Sequence, residues 1–244
     1  MLFEEKYAIL IIICITERRN GMINVAMDGP VGAGKSSVAR ECAKRLGFIY
    51  VDTGALYRAV GLYCTRNGIE ISAENEPAVK KAVEDSVSLE IKLEEGTQLV
   101  FMNGENVSEE IRLPEISMAA SAVSAIPAVR RFLLDTQRSV AAKNNVIMDG
   151  RDIGTVILPN ADVKIFITAA PEIRAKRRYD ELIAKGVDVK FDDVLSDLNK
   201  RDYNDSHRAE APLKQADDAV LLDTSALDFE QTVNEVIRLV KSKM

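Results

Sequence analysis

Gly29-Pro30-Val31-Gly32-Ala33-Gly34-Lys35-Ser36, followed by Ser37, fits the pattern G-x-x-x-x-G-K-[ST]. Its flanks fit as well. Ile23–Met27 is a short apolar run of strand character, and Lys35–Leu46 carries Val38, Ala39, Cys42, Ala43 and Leu46 at three- and four-residue steps, closed by Gly47. A strand, a glycine-rich turn and a helix in that order form a phosphate-binding loop. The glycines let successive N–H groups converge on an anion, and the helix N-terminus adds partial positive charge. Lys35 is placed to reach the β and γ oxygens of a nucleoside triphosphate, and the Ser36 hydroxyl to face Mg²⁺. A ligand-free turn would not require Gly-Lys-Ser at its end.

Outward from the loop, strand-like and helix-like segments alternate. Phe48–Val51, Val146–Met148, Val163–Thr168 and Ala219–Leu222 read as buried strands; Ala55–Thr65, Pro171–Lys185, Phe191–Leu198 and Phe229–Val240 read as helices. Pro114–Lys143 reads as one long helical stretch broken or kinked at Pro127. This alternation predicts an α/β fold with a central parallel sheet flanked by helices. Residues 71–106 depart from it. There Val87–Leu93 and Gln98–Met102 flank Glu94-Glu95-Gly96 as a hairpin, which predicts a small β-containing insert.

The chain has 244 residues, 47% hydrophobic and 29% charged, enough for one α/β domain with an insert. A net charge of −6 argues against broad nucleic-acid binding. Three separated cysteines and a single histidine suggest neither a disulfide framework nor a zinc site, and fit a reducing, cytoplasmic setting. Tyr7–Ile15 is apolar but far short of the about 20 residues a spanning helix needs. Glu4, Glu5 and the segment Glu17-Arg18-Arg19 make a poor signal sequence, so no membrane role is expected. Residues 1–21 read as an extension ahead of a domain that is complete from Met22 onward, its start mis-assigned. No exposed apolar heptads are visible, and a monomer is expected.

Two classes of P-loop protein compete. Asn199-Lys200-Arg201-Asp202 reads N-K-x-D, the string with which GTP-binding switches hold guanine. In those proteins it follows a buried strand, whereas here it ends the amphipathic segment Phe191–Leu198. No D-x-x-G follows a strand near the expected place. A kinase instead needs many cations to hold two polyanions in line, and the chain supplies Arg58, Arg130, Arg151, Arg174, Arg177, Arg178, Arg201 and Arg208.

Four strings then carry a resemblance: Asp28-Gly29-Pro30 through Ser37, Asp52-Thr53-Gly54-Ala55-Leu56-Tyr57-Arg58, Asp149-Gly150-Arg151-Asp152-Ile153-Gly154-Thr155, and Arg201-Asp202 with Asp205 and Arg208. In order and spacing the chain resembles bacterial cytidylate kinases from about Met22 to its end. The resemblance implies a P-loop kinase fold, with the insert on the nucleoside-monophosphate side and a basic helical lid over about 171–210. It implies transfer of the ATP γ-phosphoryl group to CMP or dCMP with Mg²⁺. ATP is expected on Gly29–Ser37, and CMP on Thr53, Arg58, Ser121, Arg130, Asp152, Arg201, Asp205 and Arg208. Cytosine N4 donates, so Asp152 suits it, while N3 and O2 want Arg130 and Ser121. Arg58 and Arg208 are expected on the CMP phosphate and Asp205 on the ribose. Thr53 has an alternative reading as the cap of the next helix, and Ser121 as a small packing residue. Lys35, Arg151 and Arg174 or Arg178 are expected at the transferring group. Ser36, and Asp149 through water, are expected at the metal. A related small P-loop kinase acting on another acceptor is the alternative enzyme.

Overall fold

The computed structural model describes residues 22–72, 74–94 and 97–244. The expectations for residues 1–21, and for the hairpin turn at Glu95-Gly96, lie outside them. Five parallel strands form the central sheet: β1 (Asn24–Asp28), β2 (Ile49–Asp52), β6 (Val146–Gly150), β7 (Val163–Thr168) and β8 (Val220–Asp223), in the order β2-β6-β1-β7-β8. β1 is central, and its interior residues Val25, Ala26 and Met27 are fully buried. Both faces of the inner strands are covered, which is why they read as continuous apolar runs; the edge strand β8, expected buried, is open, with Val220 44% and Leu221 55% exposed. On one face Val25, Met27 and Ile147 pack with α1 (Lys35–Leu46) and α8 (Phe229–Lys241) through Val38, Cys42, Val233 and Val236. On the other, Ala26, Val51 and Met148 pack against Ile153 and Ala141.

Parallel pairing brings every carboxyl end to one edge. Met27 lies opposite Asp149, Asp149 opposite Asp52, and Asp28 opposite both Gly150 and Phe166. The crevice outside that edge is where open α/β sheets hold ligands. Gly29 turns the chain there. Its φ is +145°, and a Cβ on it would lie 1.9 Å from the Ile167 carbonyl oxygen, so no larger residue fits.

The expected long helix is two. α4 (Pro114–Ser124) and α5 (Pro127–Ala141) meet at 97°, with Pro127 opening the second as a first-turn proline. α4 packs closely on α2 (Thr53–Arg66), and a Cβ on Gly61 would lie 3.0 Å from Ala119 Cβ. Between residues 71 and 106 the fold holds an antiparallel sheet, β3 (Leu89–Glu94), β4 (Thr97–Met102) and β5 (Glu105–Asn106). It also holds a helix the sequence reading missed, α3 (Glu76–Ser86), whose Val79 and Val83 are buried. Two lid-region helices follow β7: α6 (Pro171–Ala184) and α7 (Phe191–His207).

One side chain ties the small sheet to the large one. Gln98 of β4 accepts from the Asp52 N–H at 2.7 Å and donates to the Asp52 carbonyl at 3.2 Å, standing in for a missing strand at the end of β2. Gln98→Ala strands both backbone groups in a partly buried place, at about 1–3 kcal/mol each. Its melting temperature is expected to fall by about 2–4 °C per kcal/mol lost. An unchanged melting temperature would contradict this account of the junction.

Candidate active site

The loop Gly29–Lys35 ends on Gly34, whose φ of +82° lets the chain enter α1 without a side-chain cap. The first N–H groups of α1 are thereby left for a ligand. Lys35 is 5% exposed, and its ammonium donates to the Pro30 carbonyl at 2.7 Å. Burial, and after it the neighbouring Arg151, hold its pKa well below the ordinary lysine range. An anion beside it would restore the charged form. The Ser36 hydroxyl donates to Asp149 Oδ2 at 2.6 Å, while Asp149 Oδ1 is buried without a hydrogen-bond partner. Burial, then the adjacent Asp52, push Asp149 up to about 6. A hydroxyl and a carboxylate with a spare oxygen form a hard donor set that fits Mg²⁺ and its waters.

Across the crevice lies the segment after β6. Asp152 is 4% exposed. Its Oδ2 accepts from Arg130 of α5, and its Oδ1 accepts from Arg208 at 3.1 Å. Arg130 also donates to the Ser124 carbonyl at 3.3 Å and lies over the Tyr57 ring. Arg151 donates to Asp205 Oδ2 at 2.7 Å. Arg58 pairs with Asp52 at 2.6 Å; the other oxygen of Asp52 caps α2 by accepting from the Ala55 N–H. Thr53 is therefore not the cap of that helix. Its hydroxyl donates to the Asp149 carbonyl at 2.8 Å, joining the two motif segments.

These groups line one cavity of about 1230 Å³. Its walls are the loop from Val31 on, Asp52–Arg58, one face of α4 including Ser121, Asp149–Asp152, and the α6–α7 side chains Arg177, Arg178, Arg201, Asp205 and Arg208. Arg201 makes no hydrogen bond or ion pair with the described residues. Burial, then Arg151, lower its pKa, the condition of a cation lacking an anion.

Comparison with known proteins gives the family. The cytidylate kinase family model matches residues 25–242. A cytidylate kinase of Caldicellulosiruptor bescii is 50% identical over 219 residues, 89% of this chain and 95% of that protein. One of Caldanaerobacter subterraneus subsp. tengcongensis is 48% identical over 222 residues, 91% of this chain and 96% of that protein.

The chain belongs to the cytidylate kinase family.

Within that cytidylate kinase frame, four expected site residues stand behind the cavity rather than on it. Gly29 and Pro30 form the turn itself. Arg130 lies behind Asp152 and pairs with its Oδ2. Arg174, expected at the transferring group, lies off the cavity wall in this structure. It is 4% exposed, with Nε on the Ala169 carbonyl at 2.9 Å and one terminal nitrogen on the Val31 carbonyl at 2.7 Å and on Asp202 at 2.6 Å. Arg178, one turn further along the same side of α6, is exposed and lines the cavity. Conversely, the reading missed the Thr224–Thr232 rim, with Leu227 and Phe229, where Arg177 donates to the Thr224 carbonyl at 2.7 Å. No charged motif marks that rim.

Asp28 was quoted only as the start of a motif. Its carboxylate accepts from the Ile153 and Gly154 N–H groups, both at 2.8 Å, and holds the single π-helical turn Ile153–Ile157 that follows Asp152. Burial pushes its pKa up from 3.8 to about 6 against those two donors. As pH rises between those values the unfolded chain loses its proton first. The buried charge therefore subtracts stability over that window, and the penalty is complete above about 6. Asp28→Asn turns one acceptor into a donor facing an N–H, a cost that does not depend on pH. Measured by urea unfolding, stability of the Asn variant relative to the parent should therefore be more favourable near neutral pH than near pH 4. A pH-independent difference would contradict the ionised, bidentate reading.

Proposed function

We propose that this chain transfers the γ-phosphoryl group of ATP to CMP, and to dCMP, with the donor on Gly29–Ser37 and the acceptor between Asp52–Arg58, Ser121 and Asp149–Arg208. The observation that carries the acceptor side is the buried Asp152, aimed at the cavity and gripped by two arginines. Each carboxylate oxygen keeps a second lone pair. A base that donates from an exocyclic amine meets an acceptor there, whereas the O4 of UMP meets like charge.

Lys35 neutralises the donor phosphates, and Arg58 and Arg208 the acceptor phosphate, with Arg201 free beside them. Asp205 meets the ribose. Arg151, held by Asp205, and Arg178 face the transferring group. The attacking oxygen belongs to a phosphate already ionised near neutral pH, so no general base is needed, and the residues position and neutralise. Ser36, and Asp149 through water, would hold Mg²⁺, which when bound offsets charge on the β and γ oxygens. The α6–α7 segment serves as a lid that keeps water from competing as acceptor. No single helix among the described residues is long and apolar enough to cross a membrane, and the enzyme acts on small dissolved nucleotides as a monomer.

Asp152→Asn tests the base reading while keeping the side chain's shape against Arg130. A base-edge contact of this kind discriminates by about 1–3 kcal/mol. At about 1.4 kcal/mol per tenfold, kcat/KM for CMP should fall roughly ten- to a hundredfold. UMP should lose far less, so the preference for CMP shrinks. Equal losses for both pyrimidines would assign Asp152 to structure and place base reading elsewhere.

A further inference from the structure

The string Asn199-Lys200-Arg201-Asp202, so like a guanine motif, has another use. Asp202 Oδ1 accepts from the Val31 N–H at 3.1 Å. Asp202 Oδ2 accepts from Arg174, and the same Arg174 nitrogen donates to the Val31 carbonyl. Both polar groups of one residue of the phosphate loop are thus held by a partly buried ion pair spanning α6 and α7. The contact continues in apolar atoms. The Val31 side chain packs into the small core of α6 and α7 around Ala175, Val194 and Leu198. A Cβ on Gly32 would lie 3.3 Å from both Arg174 Cβ and Leu198 Cδ2. The loop's tip is wedged between the two helices, while the phosphate-facing N–H groups begin only beyond Val31.

We infer that Arg174 and Asp202 are positioning residues for the ATP site: they clamp the Val31 peptide so that the loop presents a fixed anion cradle, and they make the root of the lid one body with that cradle. Neither side chain lines the cavity in this structure. The inference rests on the donor assignment above, but not on the acceptor. With the clamp gone, the loop must be ordered by the ligand itself, and binding weakens by that cost.

The test is calorimetric titration of the full chain with ATP and Mg²⁺, no acceptor present, alongside steady-state kinetics. Asp202→Ala should weaken ATP binding about tenfold, as loss of a charged acceptor for one buried N–H implies at about 1.4 kcal/mol per tenfold. KM for CMP should change by clearly less than the ATP affinity, since the direct bonds of Asp202 run to Val31 and Arg174 and not to the acceptor side. Arg174→Lys, whose compact ammonium cannot reproduce the two-nitrogen fork that reaches Ala169 on one side and Val31 with Asp202 on the other, covers the case in which the alanine variant does not fold, and should show the same split. ATP affinity unchanged in a folded variant overturns the inference while leaving the donor assignment standing. Equal weakening of ATP and CMP overturns it as well, marking a general structural role. A parent chain that binds no ATP removes the donor assignment, and the inference with it.

Discussion

The Asp28 carboxylate, accepting two N–H groups from the turn after β6, is the contact on which the site depends. Asp28 ends β1 and starts the phosphate loop; Ile153 and Gly154 follow Asp152. A single buried carboxylate thus ties the start of the phosphate loop to the segment after β6. Phosphoryl transfer needs two polyanions in line, and misplacement by even 1 Å is costly. Parallel pairing carries β1 and β6 to the same edge, but pairing alone leaves the loops beyond it free. The hydrogen bonds from Asp28, with the Thr53 hydroxyl on the Asp149 carbonyl, remove that freedom.

Around this frame the charges divide into those already paired and those left wanting. Arg130, Arg174 and Asp152 are buried and already paired with protein groups. Lys35 and Arg201 are held below their ordinary pKa ranges by burial and by Arg151, so they favour an arriving anion. Electrostatic catalysis of this sort depends on fixed charges that need not reorganise during reaction. The paired set keeps the wanting set from relaxing onto one another.

Much of the fold was legible because its signals are local. The strand–loop–helix unit at residues 23–46 follows from apolar runs and glycine placement, and the alternation after it gives the parallel sheet. Pro127 announced a break, although not that the chain would turn by 97° there. What remained hidden was tertiary. Val79 and Val83 of α3 were lost in a segment read as strand and turn. Gln98 looks like any polar strand residue until its amide pairs with the Asp52 backbone. Arg174 and Arg178 are alike in sequence, and only packing against Val31 and Ala169 separates a buried strut from a cavity-facing cation. Asp202 sat in a string that suggested a base-binding role, whereas its partner is a peptide of the phosphate loop.

The central claim is that this site moves a phosphoryl group to cytidine monophosphates in preference to others. The most direct measurement is ADP release from ATP and Mg²⁺ with CMP, dCMP, UMP, AMP, GMP and dTMP offered one at a time. The account predicts the highest kcat/KM for CMP, with dCMP next and UMP behind both. A chain that turned over AMP, GMP or dTMP as well as CMP, or that bound guanine nucleotides without transferring phosphate to any acceptor, would contradict it.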